Sequence, residues 1–216
     1  MKKVAVILSG CGVFDGAEIH ESVLTLLNLE KAGASYQCFA PNIDQFHVIN
    51  HITGEEQDER RNVLIEAARI ARGEIADLET LSADEFDALV LPGGFGVAKN
   101  LSDFAFKGAD STILESVKRV CREFNHQQKP IAYLCIAPAL IAHIHTPGTL
   151  ATIGNDVDTA AAINTLGAKH VDCEVTEIVV DDNEKVISTP AYMLASSILE
   201  AATGIEKAVI KLIEMA

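Results

Sequence analysis

This 216-residue chain has no tryptophan, no Cys-x-x-Cys pair, no cluster of basic residues and no apolar run of membrane-spanning length. A transmembrane helix needs roughly 20 apolar residues in succession, so a helical membrane protein is excluded. The start, Met1-Lys2-Lys3 then Val4-Ala5-Val6-Ile7-Leu8, has the outline of a signal peptide. The apolar stretch is short, however, and Ser9 and Gly10 follow at once, so it reads as a buried first strand of an unprocessed protein. Acidic residues outnumber basic ones by 31 to 17, a formal charge of −14, and the densest basic run is Lys118-Arg119 with Arg122. That surface cannot neutralise phosphates, which argues against nucleic-acid and anionic-membrane partners. Five cysteines (Cys11, Cys38, Cys121, Cys135, Cys173) are an odd count; they fit reduced thiols in the cytoplasm rather than a disulfide framework. The pairs His47/His51 and His143/His145 lack an acidic or Cys ligand at metal-site spacing, so no metal is expected.

What is present is the 49% hydrophobic, 22% charged balance of a globular protein with an ample core. Runs of strand length alternate with stretches of helical period. Strands are expected at residues 3–9, 35–40, 88–91 and 130–134, a short one at 151–153, and a hairpin from 175–180 and 185–188 about Asp181-Asp182-Asn183. Helices are expected at residues 19–32, with Val23, Leu26, Leu27 and Glu30 on a 3–4 spacing, and at 56–71, 112–124, 136–144 and 157–166. A closing pair, 192–202 and 205–215, is expected to break at Gly204, and residues 46–53 read as an excursion. This alternation implies a mostly parallel, doubly wound sheet covered on both faces, an α/β flavodoxin-like three-layer sandwich in a single domain, 1–216.

In such sheets sites form at the carboxyl ends of the strands, and three strand ends carry chemistry. In Tyr133-Leu134-Cys135-Ile136-Ala137-Pro138 a strand runs directly into a cysteine and a helix begins without a loop. That geometry lifts the thiol above the sheet, and the helix dipole is expected to lower its pKa below the free value of about 8.5. Spacing alone leaves a buried inert thiol equally open. In Leu91-Pro92-Gly93-Gly94-Phe95-Gly96 the backbone N–H groups of Gly93 and Gly94 are free to approach a ligand and to form an oxyanion hole with Ile136. This run is neither a Walker loop nor a full dinucleotide fingerprint, and no helix is expected to follow at once. The third, Gly10-Cys11-Gly12-Val13-Phe14-Asp15-Gly16-Ala17-Glu18-Ile19-His20-Glu21, is a glycine-rich loop entering a helix whose first turns carry two carboxylates. Glu18 fits a capping role; Glu21, on nearly the same face, is placed to point back toward the strand ends, where partial desolvation would raise its pKa, although spacing alone favours ordinary first-turn carboxylates. Cys11 and Glu18 are secondary site candidates.

Taken together and in this order, the three segments resemble the PfpI-like, class I glutamine amidotransferase-like superfamily, which includes the Parkinson-associated deglycase. Within it the chain is most similar to the enhancing-lycopene-biosynthesis (ElbB) family, once called sigma cross-reacting protein. The resemblance implies a homodimer without a cofactor, with Cys135 as nucleophile and Glu21 rather than Glu18 at the glutamate that contacts it. It also implies a glyoxalase that turns glyoxal or methylglyoxal into the 2-hydroxy acid, with deglycase activity argued for similar members. The chain departs from the superfamily pattern at Ile136, where many members carry histidine, at Thr152-Ile153-Gly154-Asn155, and at Ser188-Thr189-Pro190-Ala191-Tyr192, where glutaminase subunits carry His-x-Glu. Protease and glutaminase readings lose weight accordingly. The alternatives are a non-enzymatic cysteine redox sensor or interaction protein, and an amidotransferase subunit completed by a partner.

Overall fold

The computed structural model describes residues 1–216. In chain order the elements are β1 Lys3–Ile7, α1 Ile19–Lys31, β2 Ser35–Ala40, α2 Val63–Ile70, β3 Ile75–Asp77, β4 Ala88–Leu91, α3 Phe95–Lys99, α4 Phe104–Lys107, α5 Glu115–His126, β5 Ile131–Leu134, α6 Ile141–Ile144, β6 Leu150–Ala151, α7 Val157–Leu166, β7 Lys169–His170, β8 Val179–Asp181, β9 Val186–Thr189 and α8 Ile198–Met215. Seven strands form one sheet in the order β3-β2-β1-β4-β5-β9-β8. Every neighbouring pair is parallel except β8 and β9, the expected hairpin. Strand order reverses between β1 and β4, the place where a crevice opens at the carboxyl ends of a doubly wound sheet. The flavodoxin-like sandwich is therefore what the chain forms.

Strand alternation divides the core in two. Leu89, Leu91, Ile131 and Tyr133 face Val117, Val120 and Phe124 of α5. Val90, Ala132 and Leu134 face the opposite way, toward Leu29 of α1 and Ile205 and Leu212 of α8. No single strand face is left to solvent in the sheet centre, which is why the central strands read as unbroken apolar runs.

Several expected elements change. The helix expected over 56–71 starts only at Val63, where the Asn62 side chain accepts the Ile65 N–H at 3.1 Å; the residues before it pair back on the excursion through the bridges Ile49–Glu56 and Asp44–Asn62. The stretch 136–144 is a 3-10 turn, Ala137–Leu140, followed by the four residues of α6, with Pro138 tolerated in the first turn. A helix, α3, does follow Gly94 at once. The closing pair is one helix, α8, running unbroken through Gly204. A Cβ at Gly204 would stand 2.6 Å from the Val175 carbonyl oxygen and 2.7 Å from Thr189 Oγ1. This glycine lets a helix lie against backbone; it does not end one. No helix is long and apolar enough to cross a membrane.

Candidate active site

The loop from β1 into α1, the turn after β4 and the turn after β5 meet around a cavity of about 280 Å³. Glu18, Gly94, Cys135, Ile136 and Tyr192 line its reactive side. Hollows of about 750 Å³ beside residues 44–60 and about 930 Å³ over β2 are larger; the second is lined by Cys38, whose thiol is raised by burial alone with no carboxylate acting on it.

Strict alternation along β5 would send Cys135 to the α5 side with Tyr133. Instead Cys135 takes a left-handed backbone, φ 59°, and its side chain joins the core on the α1 side. A non-glycine residue held there stores roughly 1–3 kcal/mol of strain, tolerated where the surroundings over-determine it. Ala191, just beyond β9, is likewise at φ 44°. The two strained turns end neighbouring parallel strands, and between them they frame Glu21.

Glu21 is fully buried on the sheet-facing side of α1. The stripe Val23 and Leu27 faces outward, 49% and 44% exposed, while Glu21, Ser22, Thr25 and Asn28 turn inward. Four polar side chains of this helix are thus buried, alongside Leu29, while Val23 and Leu27 stay exposed. The Glu21 carboxylate accepts the Gly93 N–H at 2.8 Å and the Tyr192 N–H at 3.1 Å, and it lies against the Cys135 thiol across Gly93. Burial pushes its pKa up to about 7, against the pull of the two backbone donors.

Cys135, 7% exposed, is the partner in this pair. The expectation of a lowered thiol pKa is overturned: burial, then the Glu21 carboxylate, push it well above the ordinary value. The N–H groups of Gly94 and Ile136 point at the sulfur and pull the other way. The helix that was to supply a dipole is a 3-10 turn and one turn of α-helix, too short to dominate burial. A buried site resists carrying two negative charges, so the thiol stays protonated while Glu21 is ionised.

The other candidates divide. Gly93 does not offer a donor to the cavity, because Glu21 takes its N–H. Its lack of a side chain matters more, since a Cβ there would stand 2.7 Å from Glu21 Oε2 and 2.9 Å from Cys135 Sγ. Glu18 caps α1, its Oε2 accepting the Glu21 N–H at 2.7 Å, and its own N–H donates to the Gly93 carbonyl at 2.9 Å. Cys11 does not line the cavity; its thiol sits among Glu66, Arg69 and Asp15, raised by burial. Sequence reasoning missed Tyr192, whose backbone N–H holds Glu21 and whose hydroxyl meets His20 Nδ1 at 2.9 Å. It also missed Asn100, whose amide nitrogen donates to the Ser9 and Asp15 carbonyls at 2.9 Å each while its oxygen accepts the Phe46 N–H. With the Asp15 carboxylate accepting the Ile49 N–H at 2.7 Å, this pins the 46–62 excursion onto the glycine-rich loop beside the cavity. No signal short of the strand order announces either residue. No His, Cys, Asp and Glu cluster of metal-binding size exists.

The family profile described as DJ-1/PfpI family matches residues 2–200. This chain belongs to the DJ-1/PfpI family. It is 47% identical over 223 residues to the human glutamine amidotransferase-like class 1 domain-containing protein 3, mitochondrial, covering 99% of this chain and 83% of that one. It is 46% identical to the rat ES1 protein homolog, mitochondrial, covering 99% and 84%. Among solved structures, the isoprenoid biosynthesis protein with amidotransferase-like domain from Ehrlichia chaffeensis superposes with a TM-score of 0.92 at 40% identity, over 100% of this chain and 99% of that chain. The fold is thus the class I glutamine amidotransferase-like form of the DJ-1/PfpI family. The human and rat relatives are both named as mitochondrial, which overturns the expectation of a cytoplasmic protein. Reduced thiols do not tell one reducing compartment from another, so composition had no means of deciding it.

Proposed function

We propose that this DJ-1/PfpI member is a cofactor-independent glyoxalase of the ElbB type, converting glyoxal or methylglyoxal to glycolate or lactate, with Cys135 as nucleophile and Glu21 as its proton carrier. The observation that carries the reading is Cys135 on a cavity that no histidine lines, with the buried Glu21 carboxyl against its thiol. A family histidine is dispensable if the carboxylate itself accepts the thiol proton, and a pKa near 7 suits that exchange.

The thiol transfers its proton to the Glu21 carboxylate as sulfur forms a bond to the aldehyde carbon. The N–H groups of Gly94 and Ile136 steady the oxyanion, which takes a proton to give a neutral hemithioacetal. Glu21, again ionised, removes the hydrogen of that carbon to give an enediol, and returns a proton to the neighbouring carbon. The former aldehyde carbon is now a thioester and the former ketone a hydroxymethylene or hydroxyalkyl carbon: one is oxidised as the other is reduced, with no external oxidant. Water cleaves the thioester, releasing the 2-hydroxy acid and the thiol.

Cys135→Ser and Glu21→Gln should each abolish glyoxal consumption while the circular dichroism spectrum stays native; retained turnover in either overturns the scheme. A thiol held protonated oxidises slowly, which removes the support a redox-sensor reading would need. The homodimer and the single domain belong to the same proposal, and sedimentation velocity together with one cooperative thermal transition would test them.

A further inference from the structure

We propose that the cavity recognises the apolar substituent of a neutral carbonyl compound, so that the preferred substrates are 2-oxoaldehydes carrying an alkyl or aryl group rather than glyoxal itself. The inference rests on the glyoxalase reading above for the reaction and on the cavity wall for the selectivity. Around Cys135 the lining of the cavity is mostly apolar, with Val13, Phe95, Phe104, Ile136 and Met193 supplying the larger side chains. Neither lysine nor arginine lines it, and Glu18 adds a carboxylate beside the reacting pair. Lys99 lies over the Phe95 ring but is tied to the Phe14 carbonyl at 2.9 Å. A carboxylate or phosphate on the substrate would therefore meet an apolar wall and like charge, and lose its hydration without a partner.

Size points the same way. At roughly 30 Å³ per water in the liquid, about 280 Å³ is room for several waters. Glyoxal, no larger than a few of them, leaves the wall wet and unused. A propyl or phenyl group reaches Phe104 and Met193 and displaces water from apolar surface, worth roughly fourfold per buried methylene. One methylene more or fewer in an apolar pocket separates homologues by roughly 10- to 200-fold at most.

The test is kcat/KM of the wild-type protein with glyoxal, methylglyoxal, propylglyoxal, phenylglyoxal and a 2-oxoaldehyde ending in a carboxylate. The expected result is a rise of roughly tenfold or more from glyoxal to propylglyoxal, with the carboxylate compound below glyoxal. In Phe104→Ala the ratio of phenylglyoxal to glyoxal should fall, a comparison that cancels any general damage. A flat series, or preference for the carboxylate, overturns the proposal while turnover that needs Cys135 leaves the reaction reading standing. If no aldehyde is turned over, the reaction reading fails and the cavity is judged by binding alone. The chain has three methionines, so the Met193 methyl signal in NMR can be followed with acetophenone and with acetone. Acetophenone binding about tenfold tighter supports an apolar recognition site; equal affinity overturns it.

Discussion

Burial of Glu21 should be measurable as a pH-dependent loss of stability. In the folded protein its carboxyl is raised from an ordinary 4.5 to about 7. Below pH 4.5 the group is protonated in both folded and unfolded chains. Between 4.5 and 7 the unfolded chain has released the proton and the folded one still holds it, so stability falls as pH rises; above 7 both are ionised and the loss stops growing. At about 1.4 kcal/mol per pH unit, the full loss is about 3 kcal/mol, a large share of the roughly 5–15 kcal/mol that holds a domain together. Glu21→Gln removes the titration but keeps the shape. Its amide NH2 must face either the Gly93 or the Tyr192 N–H, an offset of roughly 1–3 kcal/mol that does not vary with pH. Urea unfolding of wild type and variant from pH 4.5 to 8.5 separates the two effects. The wild-type advantage should shrink by about 3 kcal/mol across the window and then level off. A difference that stays constant from pH 4.5 to 8.5 would refute the raised carboxyl and, with it, the role of Glu21 as proton carrier.

On the same grounds the wild-type kcat/KM should climb as pH rises through about 7, where Glu21 becomes a base, and a profile flat through that range would count against the role. Alkylation of Cys135 by iodoacetamide should need a pH above that for a free thiol, and Glu21→Gln should shift its midpoint downward, because the carboxylate raises the thiol. Gly93→Ala puts a methyl against Glu21 Oε2 and Cys135 Sγ; activity should fall by roughly 100-fold, as misplacement of reacting groups costs. Gly204→Ala sets a helix-propensity gain of about 1 kcal/mol against a clash with the Val175 carbonyl and Thr189 Oγ1. The clash, typically about 1–3 kcal/mol and here partly against backbone, should win and lower the Tm. His145, buried against Tyr133 and Glu184, has its pKa pushed below 6.5 by burial, so it supports the fold fully above 6.5. Wild type should lose stability as pH drops from 6.5 through that lowered value, and His145→Gln should lack this component in urea melts.

Much of the frame was legible because it rests on local pattern. β2, β4 and α7 lie where their apolar runs, Pro41, Pro92 and Gly167 place them. The edge pieces were not: β3 is three residues long and β7 only two, too few for a period to show. Gly204 misled because a glycine that ends a helix and one that admits a neighbouring backbone look alike in one dimension. The 3–4 stripe of α1 found the helix but not its orientation, since amphipathic spacing gives the same signal whichever side is later buried.

The linear chain by itself determined the central sheet-forming segments, the cysteine at a strand end and the two carboxylates at the start of a helix, because each depends on neighbours a few residues away. The resemblance already put Glu21 rather than Glu18 beside Cys135; only the tertiary structure decided that Tyr192 holds that carboxylate in place and that the thiol is raised rather than lowered. Those facts depend on which strands lie side by side and on how much water the assembled turns exclude, and a charge's desolvation is a property of everything packed around it.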